Sequence, residues 1–327
     1  MTEEVVATAG EGAMEVKPLS PWADTWRRLK KNKLALIGLV IIVIFLLVGG
    51  AQEIANLLGP HNASESDTAA QRPWWQRGYL APYDPNAGDF HAGPGGPINP
   101  PSMKHLLGTD YLGRDVLSRA LVATRISLLV GIIAVGIALA IGLSLGPISG
   151  YYGGAVDSVV MRMADIFFAF PYILFVLLIM TVLGPGFRNV FIAIGILSWA
   201  GYARLNRGSV LSVKQVEYIE AARAQGASDL RIIFRHVLPN TMAPIYVAIA
   251  MGIGGAILTE SALSYLGIGM RPPDASWGSM ITDYQTYFFA GQWWMLTFPS
   301  IALVVTVFGF ISFGNGLRDA TDPKLKE

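Results

Sequence analysis

Long apolar blocks alternate with shorter polar ones along this chain. The run "LALIGLVIIVIFLLVGGA", Leu34–Ala51, contains no charge. At about 1.5 Å per residue it covers roughly 27 Å, close to the thickness of a bilayer's hydrocarbon core. Its branched side chains each favour insertion by about 0.3–0.6 kcal/mol. Similar runs lie at about 126–149, 158–183, 188–205, 241–264 and 295–314. The pattern predicts an all-α membrane protein with six spans.

Charge orients those spans. Arg27, Arg28, Lys30, Lys31 and Lys33 stand directly before the first span and should stay cytoplasmic. Six spans then return the C-terminus to the same side, where Arg318, Lys324 and Lys326 sit. The stretch between the fourth and fifth spans carries Arg204, Arg207, Lys214, Arg223, Arg231 and Arg235, while the loop 268–294 has only Arg271 and the other short outer turn only Arg188. The basic residues of the long loop 52–125 do not count against this, because long loops translocate largely regardless of charge. The implied organisation is a disordered cytoplasmic tail (1–24), a first span with its basic flank (25–52), and an extracytoplasmic loop with an interfacial segment (53–124). A five-helix core (125–318) and a cytoplasmic C-terminal tail (319–327) follow. The first 20 residues hold no apolar core, so a cleavable signal is not expected there.

Composition narrows the function. The chain is 53% hydrophobic and 14% charged, against roughly a quarter charged in soluble domains. A net charge of +1 gives no basis for nucleic-acid binding. There is no cysteine, which excludes disulfides and thiolate chemistry. His61, His91, His105 and His236 are scattered without metal-ligand spacing, so no metal site is expected. No GxxxxGK[ST] loop is present, so this chain is not expected to bind ATP itself. Gly131, Gly136, Gly142 and Gly146 punctuate the second span, and Gly252, Gly254 and Gly255 the fifth. Such residues let helices approach closely in lipid.

The stretch "EYIEAARAQGASDLRIIFRHVLPN", Glu217–Asn240, interrupts the apolar pattern. A first helix is expected over about Val213–Gln225, with Val216, Tyr218, Ile219, Ala221 and Ala222 on one apolar-to-small face. Gly226 falls where a left-handed residue closes a helix, and Ser228 can cap the next one. Leu230, Ile233, Phe234 and Val237 give that second helix its apolar stripe, and Pro239 marks its end. Ala221 and Ala222 leave a shallow spot ringed by Glu220, Arg223 and Asp229.

The spacing Glu220-Ala221-Ala222, Gly226, Leu238-Pro239 resembles the EAA motif of ABC importer permeases, with His236 where that pattern usually has Ile. "RHVLPN" is similar to the dipeptide/oligopeptide branch. "APYDPN" (Ala81–Asn86), "HLLGTDYLGRDVLSR" (His105–Arg119), "MRMADIFFAFPYILF", "ESALSYLGIGMRPPDASWG" and "GLRDATDPKL" resemble the C-type inner-membrane subunit of peptide and nickel permeases. Together they cover most of 25–326; the insert near 52–78 fits poorly and is assigned no function. The resemblance implies a type I ABC importer permease in a bacterial inner membrane. Glu220, Ala221, Ala222, Gly226, Leu238 and Pro239 then belong to a coupling helix docked on an ATPase. It also implies a homologous second permease, two cytoplasmic P-loop ATPases that bind ATP and Mg, and an extracytoplasmic binding protein. Di- or oligopeptides are the expected cargo, with nickel chelates or glutathione as alternatives.

Gly108, Thr109, Asp110, Gly113, Arg114 and Asp115 form the extracytoplasmic signature. Read on its own residues it is a turn at Gly108, a Thr109 or Asp110 cap, and a surface pair of Asp115 with Arg119. It serves either as a rigid entry into the second span or as a contact for the binding protein. Charges inside spans need a reason, because one at mid-bilayer costs roughly 2.5–3.5 kcal/mol or more. Asp165 can pair with Arg162, and Glu260 can face the pathway or anchor the next loop through Arg271. Asp165, Ser198, Tyr202 and Glu260 are the candidate pathway residues. Two other classes compete. A secondary transporter should show inverted repeats and intramembrane ion sites, and a membrane-embedded enzyme should show convergent catalytic groups. Neither pattern is visible.

Overall fold

The computed structural model describes residues 21–58, 81–88, 96–270 and 274–322. The N-terminal tail before Pro21, the insert with Trp74 and Trp75 expected as interfacial anchors, and Arg271 lie outside them. Among the described residues the fold is all helical, with a single isolated β-bridge between Thr109 and Asp115. The elements are α1 (Pro21–Leu29), α2 (Lys33–Leu58), α3 (Val116–Tyr152), α4 (Gly154–Phe168), α5 (Tyr172–Leu183), α6 (Phe187–Val213) and α7 (Glu217–Ala224). Then come α8 (Asp229–Arg231), a π-helix (Ile232–Val237), α9 (Leu238–Asn240), α10 (Met242–Tyr265), α11 (Trp277–Phe289) and α12 (Trp293–Thr321).

Close helix approaches at glycine fix the direction of each long helix. A Cβ on Gly142 would lie 2.7 Å from the Tyr202 Cβ, on Gly146 2.6 Å from the Ala203 carbonyl oxygen, and on Gly195 2.9 Å from the Ala134 oxygen. Numbers rise together, so α3 and α6 run parallel and nearly backbone to backbone. Gly131 meets Ile253 and Ile257, so α10 runs against α3; Gly254 meets Phe310 while Gly314 meets Met251, so α12 runs against α10. Gly38 packs on Phe313 and Gly316 on Ala35, so α2 runs against α12. With α4 and α5 returning the chain between α3 and α6, it passes from one end of the bundle to the other six times. The start of α2, the end of α12 and α7 therefore share one end, and the loop before α3 shares the other with α11.

The expected spans are modified in three ways. Four helices, α2, α3, α10 and α12, are each long and apolar enough to cross a membrane, and α4 with α5 makes a fifth candidate only as a pair bent by 89°. The run 158–183 is thus broken at Ala169–Pro171, where Pro171 cannot continue the backbone ladder. The expected fourth span, α6, has 27 residues but carries Arg188, Arg204 and Arg207, and it is less apolar than those four helices. Its apolar face instead packs along α3. Within the loop 268–294 the chain forms α11, started by a capping box of Ser276 and Ser279.

Candidate functional site

The EAA stretch folds into two short helices across the end of the bundle. α7 starts at Glu217, later than the expected Val213, because α6 runs on through that residue. It closes with paired bonds: the Gly226 N–H donates to the Arg223 carbonyl at 3.0 Å and the Ala227 N–H to that of Ala222 at 3.1 Å. Such a closure needs a left-handed residue, and Gly226 has φ +79°. Ser228 stands at the start of α8 but its side chain makes no capping bond.

The second helix departs from the expected stripe. The π-helix places Ile232 and Val237, five residues apart, on the inner side, and both are fully buried with Ile233 and Ile219. Wider turns shift the register, so Leu230 and Phe234, expected inside, stand 57% and 45% exposed. Leu238 stays helical (φ −55°, ψ −46°), and Pro239 sits in the first turn of α9, where its missing N–H costs least. Proline therefore does not end the helical run; Thr241 separates it from α10. On the outward side, Glu220 and Ala221 are exposed and Ala222 half-buried. Val216, Tyr218, Leu230 and Phe234 are further exposed apolar side chains of this stretch.

Behind this surface lies a polar junction that the sequence did not reveal. The Tyr151 hydroxyl, at the end of α3, accepts from Arg223 Nη2 (3.1 Å) and donates to Asp229 Oδ1 (2.9 Å), so it touches both short helices. Lys214 Nζ donates to the Gly150 carbonyl at 2.8 Å. Asp157 of α4 accepts two bonds from Arg207 of α6, both 2.5 Å, and one from Ser149 of α3. The ends of α3, α4 and α6 are thus tied to one another, and α3 through Tyr151 to α7 and α8. No periodicity marks Tyr151, because its partners lie 72 and 78 residues away.

The candidate pathway residues are dispersed. Asp165 pairs with Arg204 at 2.6 Å, not with Arg162, since α6 brings a better-placed cation than its own helix does. Ser198 accepts or donates at the Tyr172 hydroxyl (3.1 Å) and bonds the Ile194 carbonyl. Tyr202 is 7% exposed and wedged between Gly142 of α3 and Gly252 of α10, a packing position. Glu260 is fully buried; its Oε1 accepts from Ser264 (2.7 Å) and from Ser276 (2.6 Å), the residue that starts α11. It anchors the following loop through Ser276, whereas Arg271 lies outside the described residues.

At the opposite end the signature loop is a buried knot. Asp110 accepts from the Leu112 and Arg114 N–H groups (2.9 Å each), Arg114 Nε (2.8 Å) and the Tyr284 hydroxyl (3.0 Å). Thr109 Oγ1 donates to the Pro97 carbonyl, and its own carbonyl accepts from Trp294 Nε1. The helix cap is Asp115, not Thr109 or Asp110: it accepts from the Ser118 N–H at 2.8 Å and meets His105 Nδ1 at 2.9 Å. The expected surface pair is absent, because Asp115 and Arg119 are both 3% exposed and Arg119 turns to the Pro85 carbonyl and towards Asp110. Gly108 takes φ +74° with Trp294 pressed against it, and Gly113 closes the turn onto the Asp110 carbonyl. Burial pushes the Tyr284 phenol and the Asp283 carboxyl up, and it pulls Arg114 down, but Asp110, Tyr284 and Tyr111 together hold Arg114 above its ordinary value. Removing one partner from such a buried pair costs about 3–5 kcal/mol. The loop is built for rigidity.

Both ends match known proteins. Residues 138–327 match the family model described as "Binding-protein-dependent transport system inner membrane component", and residues 20–94 match the "N-terminal TM domain of oligopeptide transport permease C". The chain belongs to the family of binding-protein-dependent transport system inner membrane components, and it is a multi-pass membrane protein. Among its relatives, the dipeptide transport system permease protein DppC of Bacillus subtilis is 40% identical over 94% of this chain and 87% of its own length. The oligopeptide transport system permease protein OppC of the same organism is 39% identical over 100% and 98%. The glutathione transport system permease protein GsiD of Pectobacterium atrosepticum is 39% identical over 94% and 92%.

Proposed function

We propose that this chain is the permease subunit of an ATP-driven importer of di- and oligopeptides, working with a second permease, two ATPases and a binding protein. It performs no chemistry; ATP and Mg bind to the ATPases. The observation that carries the reading is the α7–π-helix surface. It exposes Ala221 together with Val216, Tyr218, Leu230 and Phe234, and its inner side is bonded through Tyr151 to the end of α3, which is tied in turn to α4 and α6. A surface of that kind suits a partner that pushes and a bundle that must answer. In the orientation supported by the basic residues, α7 faces the cytoplasm and the Asp110 knot faces outward, where a rigid platform would suit the binding protein. ATP-driven closure of the ATPases would shift α7 and, through it, the balance between inward- and outward-open bundles.

Peptide cargo is supported by the dipeptide and oligopeptide relatives. The glutathione relative, of near-equal identity, favours a second reading in which the cargo is that tripeptide. Vesicles holding the whole complex and its binding protein should take up labelled dipeptide only with ATP. Uptake that persists after ATP depletion would remove the ATP-driven reading. Excess glutathione that abolishes dipeptide uptake would move the cargo to the second reading.

A further inference from the structure

Between α1, α2, α10 and α12 lies a cavity of about 370 Å³. Trp26 and Leu29 of α1, Ile42 of α2, Ile253 of α10 and Phe310 and Phe313 of α12 line it. Polar side-chain atoms come only from Thr25, Trp26 and Tyr246 among the lining residues. A peptide would find few partners on such walls. A hydrocarbon chain would find a fitting surface.

The segment beside α1 has the opposite character. Arg27, Lys30, Lys31 and Lys33 are exposed beside α1, and Arg318 is exposed directly after the lining residue Leu317. Acids at this end are partly engaged: Asp24 pairs with Arg28 at 2.9 Å and Arg27 at 3.5 Å, and Asp319 accepts from Asn32. Among the described residues Lys30 and Lys31 make no ion pair, while Lys33 continues the exposed α2 stripe of Ile37, Val40 and Ile44, opposite buried Ala35 and Ile42. Lys30 lies 5.3 Å from the Trp26 ring, which is 45% exposed. Ile42 stands nine residues beyond Lys33, about 14 Å along the helix and so roughly halfway through a hydrocarbon core. The cavity therefore runs from the Trp26 corner of α1, where Lys30 lies, into the apolar interior.

We propose that this cavity holds an acyl chain of an anionic phospholipid from the surrounding bilayer, with the headgroup phosphate on a Lys30–Lys31 collar beside Trp26. Neutral lipid would fill the apolar part but leave the collar without a counter-charge. The assignment stands apart from the transport reading, since lipid retention needs neither cargo nor ATP.

The test is native mass spectrometry of the complex from mixed micelles with equal phosphatidylglycerol and phosphatidylcholine, after washing. Phosphatidylglycerol should be retained over phosphatidylcholine by about tenfold. The double variant Lys30→Gln with Lys31→Gln, both exposed side chains outside the cavity wall, should bring the two lipids close to parity. Filling the cavity by Ala250→Leu should lower retention of both. Equal retention in the unaltered protein, or a preference that survives the lysine changes, would overturn the proposal. So would lipid that is lost when the second permease binds and held only in its absence, which would seat that subunit in the cavity.

Discussion

At Gly226 the requirement is purely conformational. A Cβ there would meet nothing within 4 Å, yet φ is +79°. A β-branched residue in that region costs about 1–2 kcal/mol, while asparagine visits it more readily. Gly226→Val should reduce ATP-driven uptake about tenfold, the equivalent of roughly 1.4 kcal/mol, with normal amounts of chain in the membrane. Gly226→Asn should retain most uptake, and equal activity of the two variants would refute the conformational explanation. Residue patterns exposed this glycine because its demand is local: three to five residues decide a helix closure. Sequence spacing mispairs Asp115 and Asp165 for the opposite reason. His105 and Arg204 reach them across turns and between helices, and nearest spacing along one helix offered Arg119 and Arg162 instead.

Among elements, apolar run length located the long helices but not how they end or bend. Pro171 breaks a run whose composition is continuous, and α11 rises from a loop on the strength of Ser276 and Ser279 alone. The π-helix is less legible still, since one wide turn exchanges Leu230 and Phe234 for Ile232 without changing composition. Small residues were the more telling sign. The glycines of the second span were read as points of close approach, and the α3–α6 seam depends on them. The Gly146 position has backbone, not a flexible side chain, 2.6 Å from a would-be Cβ, so the seam cannot yield locally. Overpacking of this kind costs about 1–3 kcal/mol or more. Gly146→Leu should lower the amount of chain in the membrane and its thermal midpoint in detergent. Gly136→Leu, in the same helix with open space around it, should change neither. Comparable losses in both would mean that glycine matters there for reasons other than the seam.

For the molecule as a whole, the proposed coupling requires that a push on α7 become movement of the bundle's long helices. Rigid transmission requires contacts that do not slip, and apolar contacts around Ile219 and Val237 can slide. Directional bonds resist sliding, and Tyr151 supplies two of them from the end of α3, the helix packed most intimately on α6. Hydrogen bonds to charged groups contribute about 1.5–3 kcal/mol each, enough to decide whether α3 follows α7 or lags behind it. Tyr151→Phe keeps the ring and removes only the hydroxyl. If the junction transmits motion, the variant complex should assemble in normal amounts and still hydrolyse ATP while uptake falls about tenfold, again roughly 1.4 kcal/mol. Hydrolysis and uptake falling together would point instead to a docking surface that has lost its shape. Unchanged uptake would mean that buried apolar packing between α7 and α3 carries the coupling without help from the hydroxyl.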